Sequence, residues 1–408
     1  MKRILYVHQD GLISGSAISL SNLIRALDRR QYEPHVLLAR EGPARQLFAP
    51  MVSSVEVVSG DGFWTSPSPA AYDPNYYKNI TGLRRNRAME RYMEHLRPDL
   101  VHVNDKAILC AGRAAARIGL PVVWHLRSAY AGGKSWLQEK VSFSIISNTA
   151  TCGISISEDE VEGFDRRMPV RVIYNTIDIA EADAAIARRA ETRRELGLAE
   201  NEIGIGMVGL LNETKGAWDF IRAAGRAVQA RPDLNLRFFI IAPIPGREAL
   251  NWGWRGRFGL IDKTHPEDRA KHLAREVGIA DKLHLTGHRS NVMQVLAGLD
   301  IASVCYRLWA VGRPAVEGMA VGCPVIANAG HSGRSGIVRH GETGLVVPRA
   351  SPEALGGAFL SLAENPALRS RIGAAAHAHA REHFDFQRNA QKIVALYDEL
   401  LGHVARRS

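Results

Sequence analysis

Long apolar runs are missing from this sequence. Nowhere do its 408 residues approach the roughly 20 consecutive apolar positions of a bilayer-spanning helix, so any membrane contact is expected to be peripheral. The amino-terminal MKRILYVHQD begins basic, but its apolar run is too short for a signal peptide. Cysteine is scarce. Cys110, Cys152, Cys305 and Cys323 are scattered, with no CxxC pair and no matching histidine pair. That excludes a zinc-finger or disulfide framework and suits the reduced, buried thiols of a cytoplasmic protein. No RNP aromatic motif and no polybasic run is present, so nucleic acid is not an expected partner. No histidine–carboxylate cluster has ligand spacing, and no metal is expected. Internal repeats and low-complexity segments are also lacking.

The length calls for two domains, since single cores stop growing well before 408 residues. With 46% hydrophobic and 23% charged residues the composition is globular. A net charge of +10 favours anionic partners, among them nucleotide diphosphates, acidic glycans and an anionic membrane face.

The first half alternates apolar runs with helical patterns. Residues 4–7 read as a buried strand, followed by a loop with Gly11, Gly15 and Ser16. Leu20, Leu23, Ile24 and Leu27 then mark one face of a helix that Ser14 or Ser16 can cap. The loop lacks the GxGxxG fingerprint, so it is either an ordinary turn or an anion site at a helix head. Strands are expected at 35–39 and 55–59, then an irregular stretch, 60–79, with Phe63, Trp64, Tyr72, Tyr76 and Tyr77. A helix carrying Arg84, Arg85, Arg87 and Arg91 follows. This region suits a sugar acceptor or an anionic lipid surface, or is a loop pinned by its aromatics. A strand at 98–103, an Ala-rich helix at about 107–118 and a strand at 121–124 lead to His125 and Arg127. A histidine at a strand end is structural or catalytic; Arg127 beside it can reach a phosphate or an acidic acceptor. A further strand is expected at 151–156, and a strand and turn at 172–178.

The second half repeats the alternation. A strand at 203–209 and a loop at 210–216 precede a helix with Ala217, Phe220, Ile221 and Ala224 on one face. Lys215 therefore stands at a helix head beside a strand end, as a diphosphate ligand or as a solvated lysine. After a strand at 237–242 come the Trp- and Arg-bearing segment 246–263, a helix near 268–277, and a strand and loop at 283–289 ending in Arg289. A helix with Val292, Val295 and Leu296 leads to a strand at 301–305. Gly312-Arg313-Pro314 opens a helix that Gly322 closes, and a strand at 325–327 follows. Glu317 is expected in the first turn of that helix, as a capping acid or as the ligand of a polyhydroxylated molecule. Ser351-Pro352 starts another helix, and Ile393, Leu396, Tyr397, Leu400 and Leu401 line one side of the last one.

Gly312, Glu317, Gly318-Met319-Ala320, the run Gly322–Ala327 and Gly341-Glu342-Thr343-Gly344 resemble the donor-site block of retaining glycosyltransferases of family 4. The resemblance implies an α/β protein of the GT-B fold, with two Rossmann-like β/α/β domains facing an interdomain cleft. It divides the chain into an acceptor-side domain (1–178), a linker (179–200), a nucleotide-sugar domain (201–386) and a last helix (387–408) that packs back on the first domain. It implies that Glu317 binds the ribose of a nucleotide sugar. Trp309 occupies the position of a second glutamate that contacts the sugar. Lys215 matches the lysine of a Gly-Arg-Leu-x-x-x-Lys-Gly motif that clamps the leaving diphosphate, but Leu210 replaces the arginine, leaving Arg127, Arg289, Arg313 and Arg334 as substitutes. His125 is implied to face the donor sugar. Ser14-Gly15-Ser16-Ala17 stands where the family has a Ser-Gly-Gly-Ala loop, and Thr176 replaces a glycine in the turn ending the first domain.

The expected catalytic pair is thus His125 and Lys215. Gly15, Ser16, Arg289, Trp309, Gly312, Arg313, Glu317, Ser332, Gly333 and Arg334 form the donor side, and Arg127 and Trp64 the acceptor side. The implied activity is sugar transfer from a nucleotide-diphosphate sugar, with retention and with neither metal nor cofactor, to a glycan, lipid-linked or small-molecule acceptor. A GT-B sugar epimerase or pseudo-glycosyltransferase, and a non-catalytic nucleotide- or glycan-binding relative, are the alternatives that Leu210 and Trp309 favour. The expected location is cytoplasmic, with peripheral contact to the inner membrane face.

Overall fold

The computed structural model of the chain describes residues 1–9, 11–58, 87–127, 136–161, 164, 167–244, 264–307, 312–329 and 336–405. It forms two compact units, Met1–Ile177 with His383–Ser408, and Asp178–Glu382.

The first unit is built on β1 (Lys2–His8), β2 (Tyr32–Leu38), β3 (Ser54–Val57), β4 (Leu100–Val103), β5 (Val122–Leu126), β6 (Cys152–Ser155) and β7 (Val170–Val172). Their order is β3-β2-β1-β4-β5-β6-β7, and every neighbouring pair is parallel. Every residue of β4 and β5 is buried, as expected for parallel strands covered on both faces. The helix Gly15–Arg25 is capped by Ser14, whose hydroxyl accepts from the Ala17 N–H at 3.4 Å. Its Leu20, Leu23 and Ile24 share a core with Ala390, Ile393, Leu396 and Tyr397 of the last helix, Phe386–Ala405. Of the strand and turn expected at 172–178, the strand part ends at Val172. The Ile177 N–H donates to the Phe384 carbonyl (2.9 Å) and the Phe386 N–H to the Ile177 carbonyl (3.0 Å), so this stretch pairs with the returning chain.

The second unit contains β8 (Ile203–Val208), β9 (Leu236–Ile241), β10 (Leu283–Gly287), β11 (Ile301–Val304), β12 (Val325–Asn328) and β13 (Gly344–Val347). Its sheet is also parallel, in the order β10-β9-β8-β11-β12-β13. Phe220, Phe238 and Phe359 meet at ring separations of 5.6–6.1 Å and anchor two helices on one face. Residues 179–200, expected as a linker with its own helix, lie within the second unit. They form the helices Ile179–Ala187 and Arg189–Glu195 of the second unit, and Arg189 and Arg193 each reach Asp300 at 2.8 Å.

Strand order reverses between β1 and β4 in one sheet and between β8 and β11 in the other. Open parallel sheets bind ligands beyond the carboxyl ends of the strands at such a reversal. Among the described residues, no helix is long and apolar enough to cross a membrane.

Candidate active site

In the second unit, the β8–β11 reversal draws three backbone segments onto one aromatic ring. Gly216 heads the helix Ala217–Ala230 at φ +74°, and a Cβ there would lie 1.8 Å from the Cys305 carbonyl oxygen. Only glycine lets the helix head approach the end of β11 this closely. Lys215 precedes it, with Nζ 3.8 Å from the centroid of the Tyr306 ring. The Tyr306 hydroxyl donates to the Val208 carbonyl at the end of β8 (3.3 Å). Gly312 leans on the same ring, where an added Cβ would sit 2.6 Å from Tyr306 Cε2. Asn328, at the end of β12, donates to the Tyr306 carbonyl (2.8 Å).

Arg307 braces the loop carrying Lys215. Its guanidinium donates to both Asp219 oxygens (2.7 and 2.8 Å) and to Glu213 (2.6 Å). Lys215 itself has no carboxylate within ion-pair distance among the described residues, and burial lowers its pKa from the ordinary lysine value.

Glu317 departs from expectation. It is the fifth residue of the helix Arg313–Ala320 and lies outside the first turn, so helix-head charge is not what holds it. Arg313, one turn earlier, donates from Nε to Glu317 Oε1 at 2.6 Å, and the side chains are only 15% and 9% exposed. Gly15 and Ser16 begin the first-unit helix at the end of β1. Arg289 is exposed beyond β10, the edge strand two places from β8, and the structure does not bring it to Lys215. Leu210 is 50% exposed where the resemblance calls for an arginine. Trp64, Trp309, Ser332, Gly333 and Arg334 lie outside the described residues, as do the aromatic stretch 60–79 with Arg84 and Arg85 after it and the segment 246–263.

In the first unit, His125 is the penultimate residue of β5 and lies within a buried polar cluster. Its Nδ1 lies 3.1 Å from Arg127 and 3.1 Å from His102 Nε2 on β4. His102 Nδ1 in turn lies 2.5 Å from the Tyr397 hydroxyl of the last helix. Arg127 also donates to Asn104 (2.9 Å), Ser19 (2.8 Å) and Asn175 (2.7 Å), so its guanidinium ties four segments of the unit together. The Asn104 amide donates to His8 Nδ1 (3.0 Å) and to the Ser16 carbonyl (3.2 Å). Burial, reinforced by the Arg127 charge, pushes His8 and His102 down to about 3 and His125 well below its ordinary value. All three are neutral imidazoles at neutral pH.

Sequence reasoning missed His102, Asn104, Tyr306, Arg307 and Tyr397. Asn104 was findable, because it directly follows a strand's carboxyl end. Tyr397 was not: it lies 295 positions from its partner and reads as one more helix-core residue. Among the described residues, no three His, Cys, Asp or Glu side chains group so as to hold a metal ion.

Comparison with known proteins bears on both units. Residues 13–181 match the family model Glycosyltransferase Family 4, and residues 188–379 match Glycosyl transferases group 1. The D-inositol 3-phosphate glycosyltransferase of Corynebacterium glutamicum is 30% identical over 214 residues, 52% of this chain and 47% of that protein. Its namesake from Kribbella flavida is 30% identical over 233 residues, 56% of this chain and 50% of that protein. The chain thus spans about half the length of the curated relatives it matches. A crystal structure of Anabaena Alr3699/HepE in complex with UDP and glucose superposes with a TM-score of 0.74 at 22% identity, covering 98% of this chain and 100% of that one. Sucrose-phosphate synthase from Thermosynechococcus elongatus gives a TM-score of 0.73 at 17% identity, covering 99% and 100%. Matched in each half by a glycosyltransferase family model, and along its length by the fold of these structures, the chain belongs to the family 4 glycosyltransferases and has the GT-B fold of two Rossmann-like domains.

Proposed function

We propose that this protein transfers a sugar from a nucleotide-diphosphate sugar to a glycan, lipid-linked or small-molecule acceptor, with retention at the anomeric carbon and without a metal or cofactor. One observation carries the reading. The Lys215 ammonium stands at the head of a 14-residue helix, at the strand-order reversal, on an aromatic face that holds a cation without neutralising it. An ammonium, free backbone N–H groups and the positive end of a helix dipole together stabilise the charge that develops on a departing diphosphate.

Around it, Gly312 and Arg313 line the second helix head, and Glu317 takes the ribose hydroxyls. Trp309, Ser332, Gly333, Arg334 and Arg289 complete the donor side. In the first unit, Gly15 and Ser16 face the donor phosphates, and His125 offers a hydrogen bond to the sugar. Trp64 and Arg127 serve the acceptor, Arg127 by ordering the cluster around His125. The curated relatives are named for D-inositol 3-phosphate, which makes that molecule the first acceptor to try. The net charge of +10 supports peripheral contact with an anionic membrane, and the four free cysteines support a cytoplasmic location.

The test is nucleotide release from a panel of UDP-, GDP- and ADP-sugars, with product mass and anomeric configuration read afterwards. Release with a new glycoside of unchanged anomeric configuration is expected. No release, together with no rise in melting temperature with any nucleoside diphosphate, rejects the proposal. Leu210, 50% exposed and without a cation, favours a second reading, a nucleotide-binding relative without turnover. A rise in melting temperature without release supports that one.

A further inference from the structure

We infer that Tyr397, on the last helix of the chain, is a positioning residue for His125, acting through His102. The inference rests on the proposal that His125 meets the donor sugar. It starts from three rings on three separate elements. His102, His125 and Tyr397 are 0%, 2% and 0% exposed, so the contacts among them are shielded from solvent. The Tyr397 hydroxyl is 2.5 Å from His102 Nδ1, and His102 Nε2 is 3.1 Å from His125 Nδ1.

Arg127 sets the direction of this chain. A guanidinium only donates, and its terminal nitrogen lies 3.1 Å from His125 Nδ1, so that nitrogen carries a lone pair. A neutral imidazole with a bare Nδ1 has its proton on Nε2. His102 Nε2 faces the same lone pair and must therefore donate. That leaves His102 Nδ1 bare, to accept from the Tyr397 hydroxyl. Protons thus point one way, from Tyr397 to His102 to His125. Half-turning the His125 ring would set a carbon against both donors, and half-turning His102 would set carbons against both of its partners. No other arrangement keeps all three contacts.

The chemical consequence lies at the far side of His125. Its Nε2 carries a hydrogen and makes no hydrogen bond with the described residues. His125 is thereby a hydrogen-bond donor towards a ligand oxygen, not a base. The last helix, which rejoins the first unit after the whole of the second, helps to decide that chemistry.

The test reads the histidine ring nitrogens of the full-length protein by 15N NMR, beside steady-state turnover. In the wild type, both His102 and His125 should carry Nε2–H. Tyr397→Phe keeps the ring and removes one hydroxyl. It should bring tautomer exchange at His102 and His125 and lower kcat roughly tenfold, with the donor KM unchanged. His102→Gln retains an acceptor for Tyr397 and a donor for His125, and should restore most of the turnover that His102→Leu loses. A wild-type His125 protonated at Nδ1 overturns the inference. So does a Tyr397→Phe protein with wild-type tautomers, or one with wild-type kcat. The NMR measurement needs no substrate, so it decides the proton order even if no donor proves active. If Tyr397→Phe fails to fold, the contrast between His102→Gln and His102→Leu decides the positioning role: equal turnover in the two overturns it.

Discussion

The Lys215 ammonium lies 3.8 Å from the centroid of the Tyr306 ring and has no acidic partner among the described residues. A half-buried cation on an aromatic face is held by about 0.5–2 kcal/mol, enough to orient it while leaving its charge available. Tyr306 is itself fixed at the ends of β8 and β12 by its hydroxyl and its carbonyl.

Lys215→Ala should therefore affect turnover far more than folding. A charge-assisted contact to a diphosphate contributes about 1.5–3 kcal/mol, so turnover should fall roughly tenfold to hundredfold. Melting temperature without ligand should barely move, and the rise on adding nucleoside diphosphate should shrink. A variant with wild-type turnover on the true donor would make Lys215 a bystander.

Arg313 and Glu317 should behave as one unit. Removing the arginine strands a carboxylate that is largely out of water, and Arg313→Leu should cost about 3 kcal/mol of stability. Adding Glu317→Leu to that variant should recover most of the loss. A chemical-denaturation double-mutant cycle measures the coupling. Additive effects would mean that the pair does not hold this helix in place.

Acid should unfold the first unit early. His8 and His102 are pushed down to about 3, and His125 well below 6.5, chiefly by burial. Below about 6.5 the unfolded chain takes up protons that the folded chain refuses. The stability from these neutral rings is thus fully present above that pH and is lost as pH falls from there towards 3. Each contributes a slope of up to about 1.4 kcal/mol per pH unit. Denaturation midpoints at pH 8, 6.5 and 5 and fixed ionic strength should drop only across the lower interval. An even midpoint throughout would mean that the rings protonate within the folded protein.

Trp309→Glu tests donor choice. A carboxylate accepts from two sugar hydroxyls, whereas indole offers one N–H and an apolar face. Across donors sharing one nucleotide, the substitution should shift preference towards fully hydroxylated hexoses and leave affinity for the bare nucleoside diphosphate unchanged. An unaltered donor ranking in a folded variant would remove Trp309 from the sugar site.

The alternation of strands and helices could be read directly along the chain, as could Lys215 before a helix and Gly312-Arg313-Pro314 opening another. Each depends on contacts within a few residues: apolar periodicity, a missing proline N–H, a glycine where φ is positive. The same reading put Glu317 in the first turn of a helix whose start it had right, although Glu317 is the fifth residue and lies beyond that turn, and it could not tell that Arg313 would claim the carboxylate. Strand order, and with it the convergence on Tyr306, came only with the folded sheets. So did the cluster around His125. His102 and Tyr397 look like core residues in their own segments, and they become hydrogen-bond partners because β4 and β5 are neighbours in register and the last helix returns to the first unit. Short-range sterics and periodicity write elements into a sequence; which buried polar groups meet depends on register and crossover, and those are decided only when distant segments pack.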